Sequence, residues 1–360
     1  MLDQKLILAV VCFSIILTGS IVGQQTNQAS QNNLRQQNSQ NSQIDPGLIP
    51  PGRESEAARV AARTPVTPVT PVNPVAPEWT KAMTPEHHQA LGQLLDYWEQ
   101  SSEKVKQYLC DFTRYDYDTK FCNWRNPADN RLAAASIMTG EIRFSAPDHA
   151  SYETLLVYDF DGPPEQAGQD AKYKKRDEST NREKWICDGK AIFEHDFENK
   201  KLYETQIPPE MQGKGLVNSP IPFLFGASKE DVLNRFWVHI VTPDGVEDEY
   251  YLEAVPKKID DARNYKKILL VISRKDFLPV MLEMYAPNYD PKQNNFTSRV
   301  FEFKNRRANA AINKVQNFFG KFVRPSTPRG WERVARKPLQ SANPQLDRAA
   351  LEQPGANQIK

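Results

Sequence analysis

The feature that most constrains this chain is where its aromatic side chains lie along the sequence. Apart from Phe13 and Trp331, every Trp, Tyr and Phe falls between Trp79 and Phe322. The stretches on either side are polar and contain many of the prolines. Because folding must bury enough apolar surface to offset the lost chain entropy, only the middle of the chain can form a core.

This distribution predicts one folded domain rather than two. We expect a secretory leader over residues 1–23, a disordered linker over 24–78, the folded domain over 79–322 and a disordered tail over 323–360. The formal charge of +1, from 46 basic and 45 acidic residues, argues against nucleic acid as a partner.

The N-terminus has the pattern of an export signal. Lys5 precedes the apolar run Leu6–Leu17, and small residues follow it. This order describes a signal peptide, and the run is short for a membrane span of about 20 residues. An uncleaved anchor, with the run extended through Val22, is the alternative.

The linker combines two kinds of biased sequence. Residues 24–43 are mostly Gln, Asn and Ser, and residues 64–77 carry a proline at every third position from Pro65 to Pro77. Regular prolines favour an extended polyproline II spacer. A ligand for an aromatic-lined module is the alternative interpretation.

The domain begins with a helix and continues with strands. Thr84, Pro85 and Glu86 form a helix start, and an apolar stripe follows at helical spacing. A second, short helix is predicted over Ser228–Arg235, with its own cap.

About eleven strands are predicted from alternating runs and turns, with no βαβ rhythm. Asp188 and Gly189 mark one hairpin. The runs are Tyr108–Asp118, Ser136–Phe144, Tyr152–Phe160, Lys184–Asp188, Ala191–Phe197, Lys201–Ile207, Phe236–Val241, Glu249–Val255, Lys267–Ser273, Pro279–Ala286 and Ser298–Lys304.

Three segments resemble a known family when taken in order. The strand exit Gly140–Pro147, the strand–hairpin step Trp185–Lys190 and the paired late strands within Tyr265–Leu282 are similar to the LolA/LolB-type lipoprotein carriers. The chain is also similar to secreted planctomycete proteins that combine a signal, a Gln/Pro-rich spacer and this domain. The resemblance covers about residues 84–305.

The resemblance implies an α+β fold: an incomplete antiparallel β-barrel whose open face is covered by the N-terminal helix and the short mid-chain helix. It also implies that lipid chains bind between the sheet and this helical lid. Candidate lining residues are Phe144, Trp185, Phe193, Tyr203, Phe223, Leu224 and Phe225, with ordinary core filling as the alternative for each.

An arginine inside the barrel holds the lid in these carriers. Arg114 and Arg143 lie on predicted strands and are the candidates for this role, with a surface position as the alternative for each. Cys110 and Cys122 are a candidate disulfide across a hairpin in an oxidising compartment, which leaves Cys187 unpaired.

No catalytic pattern emerges from the sequence, so we expect no enzyme, no cofactor and no metal. Strand alternation places His195 on the opposite face from both of its acidic neighbours. A calcium site formed by an acidic turn such as Asp244–Glu249 is the alternative to the absence of a metal.

The sequence therefore predicts an exported module that binds or carries a hydrophobic ligand, an acyl chain or a lipoprotein, at the periplasm or cell envelope. Its partners would be that ligand or lipidated protein and a transient membrane or envelope partner. The alternative is a non-catalytic structural or protein-interaction domain whose own side chains fill its core.

Overall fold

The computed structural model describes residues 74–166, 169–177, 182–209, 212, 228–290, 292, 294–309 and 317–337. The predicted leader, nearly all of the predicted linker and the last part of the predicted tail lie outside these residues. Within them, every helix is too short or too polar to cross a membrane.

The first two α-helices begin where the sequence predicts, and the other helices were not predicted. The helices are α1 (Pro85–Glu103), α2 (Lys229–Arg235) and α3 (Ile259–Ala262), with short 3₁₀ helices at Glu78–Ala82 and Phe319–Phe322. The Thr84 hydroxyl accepts a hydrogen bond from the His87 backbone N–H at 3.4 Å. Ser228 accepts one from the Asp231 N–H at 3.0 Å. Each cap satisfies a backbone donor that has no partner within its helix.

The described residues form thirteen strands in a single sheet. The strands are β1 (Gln107–Asp118), β2 (Ser136–Ser145), β3 (His149–Gly162), β4 (Lys172–Lys175), β5 (Glu183–Asp188), β6 (Ala191–Asp196), β7 (Lys201–Gln206), β8 (Phe236–Ile240), β9 (Glu249–Pro256), β10 (Lys267–Ser273), β11 (Pro279–Tyr285), β12 (Thr297–Ala308) and β13 (Glu332–Arg336).

The strand order is β13-β7-β6-β5-β3-β2-β1-β12-β11-β10-β9-β8, with β4 beside β3. In the described part of the chain the sheet stays open and ends at β13 and β8. This is the predicted incomplete barrel with helices, and the α+β fold class is confirmed. Pairing is antiparallel except between β13 and β7, which run parallel.

Side chains alternate between the two faces of the sheet. We call the face that α1 covers the inner face and the opposite one the outer face. The apolar stripe of α1, formed by Leu91, Leu94, Leu95 and Trp98, packs into one continuous core with the inner face. That face contributes Tyr108, Cys110, Phe112, Ile142, Phe144, Tyr152, Trp185, Leu270, Leu282, Phe301 and Phe303, among others.

The predicted domain end at residue 322 is wrong, because the chain continues on the sheet to residue 337. We call residues 323–337 the C-terminal strap. Its last part, β13, pairs with the edge of β7. The strap has few apolar residues of its own, so its composition resembles a disordered tail. The sheet supplies the partners that order it.

Candidate functional site

The inner face beneath α1 is the candidate ligand-binding site. Phe144 and Trp185, two predicted lining residues, lie on this face and are buried. Their strands, β2 and β5, flank β3, and the ring of Tyr152 on β3 stacks on Trp185 with centroids 5.9 Å apart. Both residues are therefore placed where the predicted role requires them.

A row of aromatic rings runs diagonally across the inner face. Phe301 on β12 lies 5.7 Å from Phe112 on β1, which lies 4.9 Å from Tyr152 on β3. Trp185 on β5 continues the row. Four aromatic side chains in contact bury a large apolar area and hold four strands in register.

Beyond this row the inner face becomes polar, and Arg114 lies at its centre. The Arg114 side chain is completely buried. Its Nη1 donates to Glu183 Oε2 at 2.6 Å, and its Nη2 donates to Glu183 Oε1 at 2.9 Å. Nη1 also donates to the Tyr152 hydroxyl at 3.0 Å, and Nη2 donates to Asp116 Oδ2 at 3.1 Å. A two-pronged contact of this kind is among the strongest ion pairs in proteins.

A second arginine completes the cluster. Arg299 on β12 donates from Nε to Asp116 Oδ1 at 2.9 Å. Arg114, Arg299, Asp116 and Glu183 thus carry two positive and two negative charges. Burial favours the neutral form of Asp116, but the two guanidinium groups outweigh it and hold the pKa of Asp116 below its ordinary value. The cluster is therefore a balanced ionic network inside the sheet.

The structure separates the two candidate lid arginines. Arg114 lies inside the barrel, as the proposed role requires, although its hydrogen bonds described above run to strand residues. Arg143 lies on the outer face, because strand alternation places it opposite Ile142 and Phe144, and its Nη2 pairs with Glu141 at 2.8 Å. Arg143 is therefore not placed to hold α1.

The remaining lining candidates do not gather at one site. Phe193 is fully buried, but on the outer face, in a cluster with Ile186, Ala191 and Leu202. Tyr203 lies on the inner face near the sheet edge, with the Arg336 guanidinium 3.8 Å from its ring centre. Phe223, Leu224 and Phe225 lie outside the described residues.

The structure does not form the predicted Cys110–Cys122 disulfide, and both cysteines are free and buried. The prediction assumed a hairpin between them, but β1 is one continuous strand from Gln107 to Asp118. Cys122 bonds through its backbone N–H to the Asp118 carbonyl. At about 3.3 Å per residue, that end of β1 lies more than 20 Å from Cys110, far beyond the reach of a disulfide.

Sequence reasoning missed the partners of Arg114. Alternation along β1 does put Phe112, Arg114 and Asp116 on one face, and this was the available signal. Glu183 joins them only through β3 and β5, which are 31 residues apart at the Tyr152–Glu183 contact. Among the described residues, no group of three or more His, Cys, Asp and Glu side chains is arranged to hold a metal ion.

His195 gives the domain a pH-dependent stability. It lies on the outer face with its ring near those of Phe197 and Trp331. Burial, and then the charge of Lys184, lower the pKa of His195 from 6.5 to about 4. His195 therefore binds a proton more readily in the unfolded chain than in the folded one. The contribution of neutral His195 to folding stability is fully present above pH 6.5 and is lost as the pH falls towards 4.

Between pH 7.5 and pH 4.5 the free energy of unfolding should fall in both proteins. We expect the fall to be about 1–2 kcal/mol smaller in the His195→Gln variant than in the wild type, allowing for partial exposure of the ring. Urea unfolding at the two pH values measures this difference. An unchanged pH dependence in the variant would show that His195 does not carry the effect.

Comparison with known proteins finds solved structures whose fold is similar to that of this chain. No protein-family model matches the chain, and no curated protein matches it significantly. The matches that exist are to solved structures, all at low identity. A conserved protein of Thermus thermophilus matches at a TM-score of 0.37 and 8% identity, over 69% of this chain and 100% of that one.

Two further solved structures are similar at the same level. MucB matches at a TM-score of 0.34 and 10% identity, over 66% of this chain and 64% of that one. A LolA superfamily protein from Nitrosomonas europaea matches at 0.24 and 9%, over 62% of this chain and 95% of that one. Scores and identities this low give these structures no weight in deciding what the chain binds.

Proposed function

We propose that this protein is an exported, non-catalytic module that binds or carries a hydrophobic ligand, an acyl chain or the lipid part of a lipoprotein, at the periplasm or cell envelope. The observation that supports this is the apolar inner face of an open sheet, covered by one amphipathic helix. Burying an acyl chain there would contribute about 0.8 kcal/mol per methylene group.

The attachment of α1 suggests how a ligand would enter. The helix meets the sheet through a single apolar stripe, whereas its side chains form hydrogen bonds to α2. Asp96 accepts from Lys229 Nζ at 2.8 Å, and Glu99 accepts from the Lys229 backbone N–H at 3.0 Å. We propose that α1 moves away from the sheet, which breaks its two contacts with Lys229 and exchanges sheet contacts for ligand contacts. The short helix α2 stays in place, because Arg235 at its end is held to Asp261 by a buried ion pair.

One observation favours the alternative, a structural or interaction domain with a self-filled core. The side chains beneath α1 already bury one another: Leu95 is 0% exposed, Trp98 1% and Phe112 2%. A carrier therefore requires α1 to lift, whereas a structural module does not.

Lipid extraction and native mass spectrometry of the purified protein distinguish the two functions. A carrier is expected to retain co-purified lipid, or to bind a fluorescent fatty-acid analogue with a saturable signal. If extracted protein contains no lipid and the analogue does not bind, the carrier function is wrong and the interaction domain is favoured.

Two matched substitutions test where the ligand lies. Phe144 and Phe193 are both buried phenylalanines on strands, one on the inner face and one on the outer face. We expect Phe144→Leu to weaken binding of the analogue about fivefold through lost contact area, and Phe193→Leu to leave it unchanged. Fluorescence titration measures both, after urea unfolding has compared their stabilities. Equal effects of the two substitutions would contradict a site on the inner face.

The export signal and spacer belong to the same proposal. We propose that residues 1–23 direct export and that the linker holds the domain at a distance from a membrane or wall, with an uncleaved anchor as the alternative. N-terminal sequencing of the protein recovered from the cell envelope separates these alternatives, because cleavage would leave a new N-terminus near residue 24.

A further inference from the structure

The C-terminal strap lies on the sheet without burying any of its own side chains. Each residue from Val323 to Lys337 is exposed or half-exposed, and Val323 is 65% exposed. The residues just before the strap differ, because Phe318 and Phe322 are buried against Leu109 on the outer face. The chain is thus anchored by buried apolar residues up to Phe322, and after it by polar contacts and by the ring of Trp331, which lies 5.2 Å from that of Phe197.

The surface beneath the strap is apolar with an acidic centre. Ile186, Ala191, Phe193 and Leu202 form a buried cluster on the outer face, which we call the outer patch. Glu204 pairs with Phe193 across β6 and β7 and is 7% exposed. A carboxylate beside an apolar patch is a surface that suits an arginine, whose charge can pair while its flat guanidinium covers a ring.

Two strap arginines use this surface in that way. Arg324 Nη2 donates to Glu204 Oε1 at 2.5 Å, and Arg333 Nε donates to Glu204 Oε2 at 2.6 Å. Both guanidinium carbons lie 5.4 Å from the centre of the Phe193 ring. The carboxylate is therefore shared between two arginines on the outer face.

A third arginine holds the strap from the other side of the sheet. Arg336 is three residues after Arg333, so in an extended strand its side chain points to the opposite face. Its Nη1 donates to Glu194 Oε2 at 2.5 Å, and its guanidinium covers Tyr203. Arg333 and Arg336 together clamp the sheet edge from both faces, while β13 pairs its backbone with β7.

We infer that the β7 edge, with Glu204, Glu194 and the outer patch, is a docking site for an extended segment of a partner protein that carries two arginines in an Arg-x-x-Arg spacing. The strap is the built-in occupant of this site, and the partner segment replaces it. Backbone pairing supplies general affinity and the two carboxylates on opposite faces select the arginine spacing. The strap is held by polar contacts and by one partly exposed aromatic contact, that of Trp331 with Phe197, so its replacement gives up no fully buried apolar side chain.

The full mature chain with Arg333→Ser and Arg336→Ser tests this site. The labelled probe is a peptide of residues 323–337, and binding is followed by fluorescence anisotropy. We expect the variant to bind the peptide at least tenfold more tightly than the wild type, whose strap competes. Affinity should fall as salt rises, since the contacts are ionic. A peptide in which the residues equivalent to Arg333 and Arg336 are serine should bind the variant at least tenfold more weakly than the natural peptide. Adding Glu204→Gln to the variant should weaken binding of the natural peptide by at least the same factor.

A second measurement tests the same site without the serine substitutions, so its result does not depend on whether that variant folds. A site-specific protease sequence inserted after Thr327 lets the strap be cut while every strand remains present. We expect excess labelled peptide to replace the cut fragment, and gel filtration to show label on the protein and free fragment. The inference is overturned if the cut fragment does not exchange, or if the serine peptide binds as well as the natural one.

Discussion

Replacing Arg114 with alanine is expected to cost about 3–5 kcal/mol of folding stability, which is the usual consequence of breaking a buried ionic network from one side. Arg114 is fully buried between Glu183 and Asp116. Without it, Glu183 loses both guanidinium contacts and Asp116 keeps only Arg299. Since the free energy of unfolding of a single domain is about 5–15 kcal/mol, this substitution would remove much of the domain's stability.

Arg143→Ala is the matched control for Arg114→Ala. Arg143 is also a buried strand arginine, but its ion pair is with Glu141, whose side chain is 28% exposed and can be solvated. We expect its loss to cost about 1 kcal/mol. Urea unfolding of both variants and the wild type measures the difference. A cost below about 1 kcal/mol for Arg114→Ala would show that the network adds little stability.

A partner substitution separates lost attraction from unpaired charge. In the double variant Arg114→Met with Glu183→Gln, one buried charge is removed together with its counter-charge. We expect this variant to be more stable than Arg114→Met alone, because residue 183 is then no longer a largely buried carboxylate without a counter-charge. If the second substitution only adds a further loss, unpaired charge is not the cause of the destabilisation.

Replacing Gly140 with alanine is expected to have a comparable effect, about 3 kcal/mol of destabilisation, through steric overlap. Gly140 on β2 pairs with Phe112 on β1, whose ring lies over the glycine. An added Cβ would lie 2.2 Å from the Glu153 carbonyl oxygen and 2.4 Å from Phe112 Cζ. Since one of these atoms is backbone, the strands must separate to admit a methyl group.

Gly92→Ala is the matched control, because the same methyl group fits there. Gly92 lies within α1, and its added Cβ would come 3.3 Å from Lys229 Nζ, the far end of a flexible side chain that can shift slightly. Alanine is favoured over glycine in a helix by about 1 kcal/mol, so this variant should be unchanged or more stable. Thermal unfolding of the two variants measures the contrast. Similar midpoints for both would contradict the close approach at Gly140.

Local signals were sufficient for much of the fold. The Thr84 cap, the Ser228 cap and the turn at Gly189, where φ is +82°, all lie where the sequence predicts them. Each of the eleven predicted strands has a counterpart, because alternation along a strand is a property of neighbouring residues. The two strands that were missed, β4 and β13, are short and charged and have no apolar alternation to reveal them.

The candidate site was predicted less well, for a reason that the pairs Phe144/Phe193 and Arg114/Arg143 make clear. Each pair has one member on each face of the sheet. Alternation tells which residues share a face within a strand, but not which face α1 covers. A shift of one residue in register moves every side chain to the other face, so long-range pairing decides the assignment.

The sequence alone determined where the core can form, where the main helices begin and which residues alternate, because these depend on composition and on contacts a few residues apart. Only the tertiary structure decided that Arg114 meets Glu183, that Cys110 and Cys122 are apart, and that the polar strap completes the sheet edge. Those outcomes depend on strand order and register, which arise from contacts between residues tens to more than a hundred positions apart.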